Sequence, residues 1–428
     1  MAYSPFKMIL VALLVVLGCM GPAAAATPQW TVEKKVSFII PSSDGSALAA
    51  NGNNLYYLTR SGTLVWMDKP YDSIDISGNG EYVAAGGPWA ALYDSKGNKV
   101  WENENTGDSA STTDPLRVHI SENGHLVLTS TSTAFHTWSI SGGKIGTNSS
   151  IVVTDGDALF SDAAITPSGD EVVLFTSDGI YTVNQSGAPV SRNTDDWKCT
   201  HGILVSDGAV ALCSYENHLY YGYTSGKLLW NNKVAGDTIT SIGASSGDNP
   251  LIVAGSLDGN VYAVDSGGNT LWTSRLFSYR TGQPVTVTIT RDGSYIAART
   301  LDTKTMKGAV FLLDRNGVQV WDTEDENAVC GLAPDGSYLY VGTDTDLSAY
   351  AIAGLGAAPA ATTTAVTVAA TTTGQASAPA TSRNVQTSPS VPAQTGTPLP
   401  VTTPKSPVGD ALPFIAVALV LAGIAGRR

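Results

Sequence analysis

Residues 261–272 read VYAVDSGGNTLW. Alternating positions lead into a turn of Asp, Ser and Gly, and the chain leaves that turn on an aliphatic residue followed by Trp. Alternation at period two marks a strand and Asp with Gly marks a tight reversal, so the stretch predicts a β-hairpin with a large aromatic on its second arm. The phrase returns as LYDSKGNKVW at 92–101 and LLDRNGVQVW at 312–321. In all three, Asp94, Asp265 or Asp314 stands seven residues before Trp, and Gly97, Gly268 or Gly317 stands four before it. Looser copies keep Gly62 before Trp66 and Gly226 before Trp230, while Gly143 and Gly187 precede Thr147 and Ser191, where the Trp is lost. A lone hairpin is marginal in water, so each such Trp must bury itself against a neighbouring unit.

A second mark runs in step with the first. Turns with Gly at 45, 80, 124, 169, 208, 247, 293 and 336 recur at spacings of 35, 44, 45, 39, 39, 46 and 43, each between strand-like segments. The later Gly follows the earlier one by 17 to 24 residues in seven units, and Gly354, 18 after Gly336, is read as the eighth. Four short strands in about 42 residues, repeated, predict an all-β fold: an eight-bladed β-propeller of four-stranded blades over 27–354. A seven-bladed ring with one insertion is the alternative. The eighth unit shows three strands, near Val329, 339–341 and 347–352, before its composition dissolves into Ala, Pro and Thr. At the other end, 28–36 (PQWTVEKKV) is a strand without a hairpin partner. The expectation is that this strand, with Trp30, completes the last blade and removes an exposed sheet edge.

Residues 1–26 carry Lys7, an apolar run from Met8 to Met20 and the exit GPAAAA, the pattern of a secretory signal peptide. VLGC around Cys19 loosely resembles a lipoprotein box, though Leu17 fits it poorly. From 355 to 409 the chain is Thr, Ser, Pro and Ala with only Arg383 and Lys405 charged. Such a segment cannot bury enough to fold and reads as a disordered, O-glycosylated stalk. Residues 410–428 hold an apolar stretch, 411–426, ending in Arg427 and Arg428, which reads as a short hydrophobic helix with its basic end in the cytoplasm. Together this tail resembles the C-terminal sorting signals of archaeal cell-surface proteins. On that reading the chain is secreted and held at the surface, with the propeller outside and the membrane as one partner.

Stretches 103–114, 148–157, 192–197 and 322–327 read as loops between blades that decorate one face of the disc, where partners bind. Net charge is −13 with scattered basic residues, which argues against nucleic acid as a partner. Cys199 and Cys213 lie nearly symmetrically about the turn at 206–208. Outside the cell that spacing suits a disulfide, with two buried free thiols as the other reading. Cys330 has no counterpart and falls on the eighth blade's inner strand. Asn148 (NSS) and Asn184 (NQS) are glycosylation acceptors in form, although Asn184 occupies the repeat's Asp position.

No catalytic, cofactor or metal residues emerge. His119, His125, His136, His201 and His218 lack ligand spacing, and the acids at 322–326 and at Asp344 and Asp346 lack a full calcium-loop pattern. GASSG at 243–247 matches GxSxG by letters, yet it lies between two strands, so Ser245 is not expected to be a nucleophile.

The repeat resembles that of pyrroloquinoline-quinone (PQQ) propellers, with WD40 repeats more distant. The resemblance spans 27–354, closest in units two, six and seven. It implies that Trp66, Trp101, Trp230, Trp272 and Trp321 dock on the neighbouring blade; Trp89, Trp138 and Trp197 fall off that phase. Quinoprotein dehydrogenases of this type hold PQQ and calcium over a central funnel beside a ring formed by two adjacent cysteines. This chain has no adjacent Cys pair, so no cofactor is expected. Members lacking those features act as scaffolds. The expected function is therefore a non-catalytic surface propeller binding a protein, glycan or envelope component. The alternative is an extracellular enzyme, a quinone-dependent dehydrogenase, lyase or hydrolase, with its site at the central funnel.

Overall fold

The computed structural model describes residues 26–103, 116–131, 134–151, 160–193, 197–205, 210–276, 284–302 and 307–355. The expected signal peptide, stalk and apolar helix lie outside the described residues apart from Ala26 and Leu355.

Eight four-stranded antiparallel sheets follow one another. Blade 1 spans 36–68, blade 2 73–103, blade 3 117–151, blade 4 160–193, blade 5 201–233, blade 6 239–275 and blade 7 285–326, each in sequential strand order from the inside outwards. Blade 8 takes three strands, Val329–Leu332, Tyr338–Gly342 and Leu347–Ala351, and completes itself with Trp30–Val32 from the start of the chain. That closing strand pairs Trp30 with Ala349, Thr31 with Ser348 and Val32 with Leu347. A bond from the Gln29 N–H to the Ala349 carbonyl at 2.7 Å extends the ladder. The eight-bladed ring closed by its N-terminal strand is thus the fold, and the seven-bladed alternative is excluded.

Burial explains why the sheets stack around an axis. Outermost strands alternate between half-buried and exposed residues, as in Leu228–Lys233, whereas second strands such as Tyr82–Gly86 and Ile252–Ser256 are buried throughout. A strand covered on both faces needs apolar or small residues at every position, and Ala84, Ala85, Ala254, Ala297 and Ala298 let neighbouring sheets approach closely. Among the described residues, eight hydrophobic clusters form, and each joins two adjacent blades. One of them unites Leu48 and Tyr56 of blade 1 with Tyr340 and Leu347 of blade 8 and with Trp30, so the core is itself a ring.

Four sequence expectations shift. The strand expected over 28–36 breaks after Val32, where the Lys34 N–H turns back to the Val32 carbonyl, and Val36 already belongs to blade 1. Gly354 makes no hairpin turn: it ends the 3₁₀ segment Ile352–Gly354, because blade 8 draws its outer strand from elsewhere. The stretch 322–327 is mostly strand, since Gln319–Glu326 follows a long partner down to the Lys307–Glu326 pair. Strand Lys144–Ile151 likewise takes in the first part of the loop expected at 148–157.

Candidate binding site: the central channel and the loop face

In an antiparallel blade the first and third connections fall at one end, while the second connection and the link to the next blade fall at the other. One face of the disc therefore carries the repeat's two glycine turns, and the opposite face carries the loops.

The turn face is locked. Asp94, Asp265 and Asp314 each accept two backbone N–H groups of their own turn at 2.8–3.0 Å, so the repeat Asp is a turn cap. Asn184 does the same toward Ser186 and Ala188. Hydrogen bonds from the Asn269 amide and the turn backbone hold the Asp265 carboxyl below its usual range. Neighbouring inner turns are also tied by backbone bonds: Asp44 to Gly78 and Gly78 to Glu122 at 2.8 Å, Ser246 to Arg291 at 2.7 Å, and Arg291 to Pro334 at 2.8 Å.

The repeat Trp and Gly meet across blades. Trp30 sits on Gly62, Trp66 on Gly97, Trp230 on Gly268 and Trp272 on Gly317, close enough that a Cβ on each glycine would lie 2.5–2.9 Å from the indole. Those four glycines have φ of +78° to +85°. Trp30, Trp230 and Trp272 also donate their indole N–H to the carbonyls of Arg60, Ser266 and Arg315 at 2.8–3.0 Å. Trp66 instead stacks between Tyr57 and Tyr93, and its N–H has no partner. Trp101 packs on Trp138 of blade 3 with ring centroids 4.7 Å apart, and Trp321 on Tyr350 of blade 8 at 5.0 Å. Trp197 lies off the repeat phase, is 1% exposed and donates to the Gly226 carbonyl at 3.0 Å, while Asn193 packs on Gly226 in the unit where Ser191 replaces the repeat Trp.

Cys199 and Cys213 form a disulfide with Cα atoms 5.5 Å apart. They are not cross-strand partners, since Cys213 faces Gly202 and Cys199 precedes the inner strand, and the turn at 206–208 lies outside the described residues. The backbone of Asn148 pairs with Trp138. Ser245 is buried, and its Oγ accepts the Leu251 N–H at 2.8 Å, the task of a turn residue. His125 is exposed beside its turn. Lys35 holds Asp344 at 2.7 Å and lowers its pKa by that hydrogen bond.

The channel is built from the inner strands. Seven residues before the first turn glycine of each unit stand Phe38, Ser73, Arg117, Asp162, His201, Thr240, Thr286 and Val329. Inner strands present a free edge to the axis, and side chains of the preceding blade satisfy part of it. Ser73 Oγ accepts the Val118 N–H at 3.2 Å, Asp75 Oδ2 the Ile120 N–H at 2.9 Å, Asp162 Oδ2 the Gly202 N–H at 3.1 Å and Ser241 Oγ the Val287 N–H at 2.6 Å. Burial raises the Asp75 pKa, opposed by His119 and by the two N–H groups it accepts. Confinement in the channel lowers the His201 pKa, with Asp162 opposing and Arg117 assisting. His201 is still reached by water, because the channel surrounds it with protein without closing over it. Asp75 and Asp162 were missed from the sequence, where His119 and His201 were noted only for lacking ligand spacing; Asp162 and His201 stand seven residues, and Asp75 and His119 five, before the first turn glycine of their units.

A cavity of about 330 Å³ opens where blades 7, 8, 1 and 2 meet the channel. Its wall includes Phe38, Ile74, Thr286, Arg299, Cys330 and Asp72. Burial pushes the Cys330 thiol up to about 11, partly offset by Arg299, so it stays protonated and reacts only slowly at neutral pH. Phe38, 48% exposed, lies near the start of its strand, and Trp89, 44% exposed, lies in the second connection of blade 2 under the Lys69 ammonium at 4.9 Å. Both therefore belong to the loop face. Among the described residues no cluster of three metal-ligating side chains forms.

The family described as outer membrane protein assembly factor BamB, a PQQ-type repeat family, matches residues 176–328. Among solved structures, Sqt1 from Saccharomyces cerevisiae aligns with a TM-score of 0.60 at 12% identity, covering 76% of this chain and 99% of that one. BamB from Moraxella catarrhalis aligns with 0.53 at 17% identity, covering 76% and 100%. The β-propeller domain of Cps50 (Swd1) from Myceliophteria thermophila aligns with 0.50 at 13%, covering 67% and 99%. No curated protein matches the chain in sequence. The chain is a β-propeller similar to those of BamB and WD40 type.

Proposed function

We propose that the protein is a non-catalytic propeller that binds a protein partner through its loop face, held outside the cell by its C-terminal tail. The observation that carries this reading is the contrast between the two faces. On the turn face, capped Asp residues, glycine seats and turn-to-turn bonds already fill the polar groups. The loop face bears Phe38 and Trp89, large aromatic side chains left open where connections vary most in length, whereas Tyr223 and Val318, exposed on the turn face, sit in short turns closed by their own backbone hydrogen bonds. Exposed aromatics on a rigid frame are the common anchors of protein interfaces. The similarity to the BamB family supports the same reading. In the channel, Asp75 and Asp162 spend carboxylate oxygens on backbone N–H groups, a structural duty that leaves little for acid–base work.

Site-directed photocrosslinking in intact cells tests it. A benzophenone amino acid at Trp89 or at Phe38 should capture a defined protein, and one at Lys96 on the turn face should not. Equal capture from both faces, or none from the loop face, would reject the proposal. Quinone with calcium added to the purified chain should leave its absorbance and melting temperature unchanged; a clear shift would favour the enzymatic alternative.

A further inference from the structure

Arg299 lies on the second strand of blade 7, and its side chain forms part of the central cavity's wall. Its Nε–H donates to the Ala328 carbonyl at 2.7 Å, its one hydrogen bond to a described residue. The ion pairs among the described residues use other cations, and Asp72, the one acid of the lining, makes none with it. Burial lowers the guanidinium's pKa, opposed by Cys330. A guanidinium has five N–H donors in a planar fork, and a carboxylate matches that fork in two parallel bonds. Donors of a half-buried cation left unfilled are costly unless something enters to accept them.

The rest of the wall defines the companion chemistry. Phe38, Ile40, Ile74 and Val329 are apolar, and Ser73 and Thr286 supply hydroxyls. The space equals roughly ten waters at about 30 Å³ each, enough for a small ring or branched chain. Asp72 opposes a second negative charge within the same wall.

We propose that this cavity binds a monocarboxylate carried on a small apolar body, with the carboxylate on the free N–H groups of Arg299 and the body against Phe38, Ile74 and Val329. The carboxylate arrives either on a free small molecule or as the C-terminus of a polypeptide. The site goes beyond the protein-binding reading of the loop face and shares Phe38 with it, while Trp89 belongs to that reading alone and Arg299 to this one, so the two can fail separately.

Calorimetry and saturation-transfer NMR on the full chain supply the test, with benzoate, benzamide, inorganic phosphate and a tetrapeptide ending in Phe, as acid and as amide. Benzoate should bind with a Kd below about 1 mM, a range fitting nine heavy atoms, and benzamide at least about tenfold more weakly. Arg299→Gln should weaken benzoate by about tenfold or more, and Arg299→Lys by less. A tetrapeptide acid that outbinds both benzoate and its own amide assigns the carboxylate to a polypeptide, whereas stronger benzoate assigns it to a free ligand. A readout that needs no variant is Cys330, whose methylthiolation benzoate should slow. Equal binding of benzoate and benzamide, phosphate binding tighter than benzoate, or benzoate that leaves both Cys330 reactivity and the Arg299→Gln comparison unmoved would each overturn the proposal.

Discussion

Gly317 shows what one residue of the repeat does. Its φ of +78° disfavours any side chain, and a Cβ there would stand 2.6 Å from the Trp272 ring. Gly142 shares the left-handed backbone, at +58°, but nothing lies within 4 Å of its Cβ position. Gly142→Ala should therefore cost only the backbone term, about 1–2 kcal/mol, and Gly317→Ala about 2–4 kcal/mol because the indole must also move. Urea unfolding of the two variants checks this, and equal midpoints would show that the indole seat carries no energy. VYAVDSGGNTLW placed Asp265, Gly268 and Trp272 in one hairpin, and all three do lie there. Their contacts were not legible: Gly268 receives Trp230 from the blade before, and Trp272 leaves for Gly317 in the blade after. Partners across a blade interface lie about forty residues apart, beyond what a hairpin pattern encodes.

The closing strand is the element on which the ring depends. Trp30–Val32 is short, yet it covers the edge of Leu347–Ala351, and Trp30 packs into the cluster shared by blades 8 and 1. Removing its side chain should cost about 2–4 kcal/mol, since the indole fills a seat and donates to Arg60. The effect should be local. In Trp30→Ala, amide exchange should quicken in Leu347–Ala351 and Leu55–Thr59, while Glu171–Thr176 on the far side of the ring keeps its protection. Uniform acceleration would mean that the ring opens as one unit and that the closure is no special weak point. The tethered N-terminal strand was legible because the eighth unit visibly ran out of residues. Its exact extent was not, because the break after Val32 depends on where blade 1 must begin.

At the scale of the molecule, an acidic chain stays folded by giving its carboxylates donors. In Glu102, Asp265 and Asp344 a side-chain hydrogen bond is the largest influence and lowers the pKa. In Asp44, Asp68, Asp94, Asp292 and Asp335 burial pushes up, but hydrogen bonds together prevail and the pKa falls. A depressed carboxylate stabilises the fold above its unfolded pKa near 4 and loses that contribution as pH falls through the folded value. His201, with its lowered pKa, adds the same sign from about pH 6.5 downward. Asp75 acts oppositely: its raised pKa makes the fold bind a proton more readily than the unfolded chain, so its contribution fades as pH rises. Eight depressed acids against one raised acid predict that the melting temperature drops steadily from about pH 5 to pH 3. A flat or rising profile over that interval would refute the balance.

The sequence alone determined the unit and pointed to its closure, with eight copies preferred over seven, because strand alternation and turn chemistry are local and the repeat displays them many times over. The missing Cys pair and the dispersed basic residues carry expectations about cofactor and partner rather than findings. Tertiary structure alone decided which glycine seats which indole, that Trp197 reaches the Gly226 carbonyl beside a unit lacking its repeat Trp, and that Arg299 stands without an ion pair in a cavity shared by four blades. Those features arise from residues far apart in the chain whose meeting depends on the ring's curvature, and curvature is a property of eight packed interfaces together.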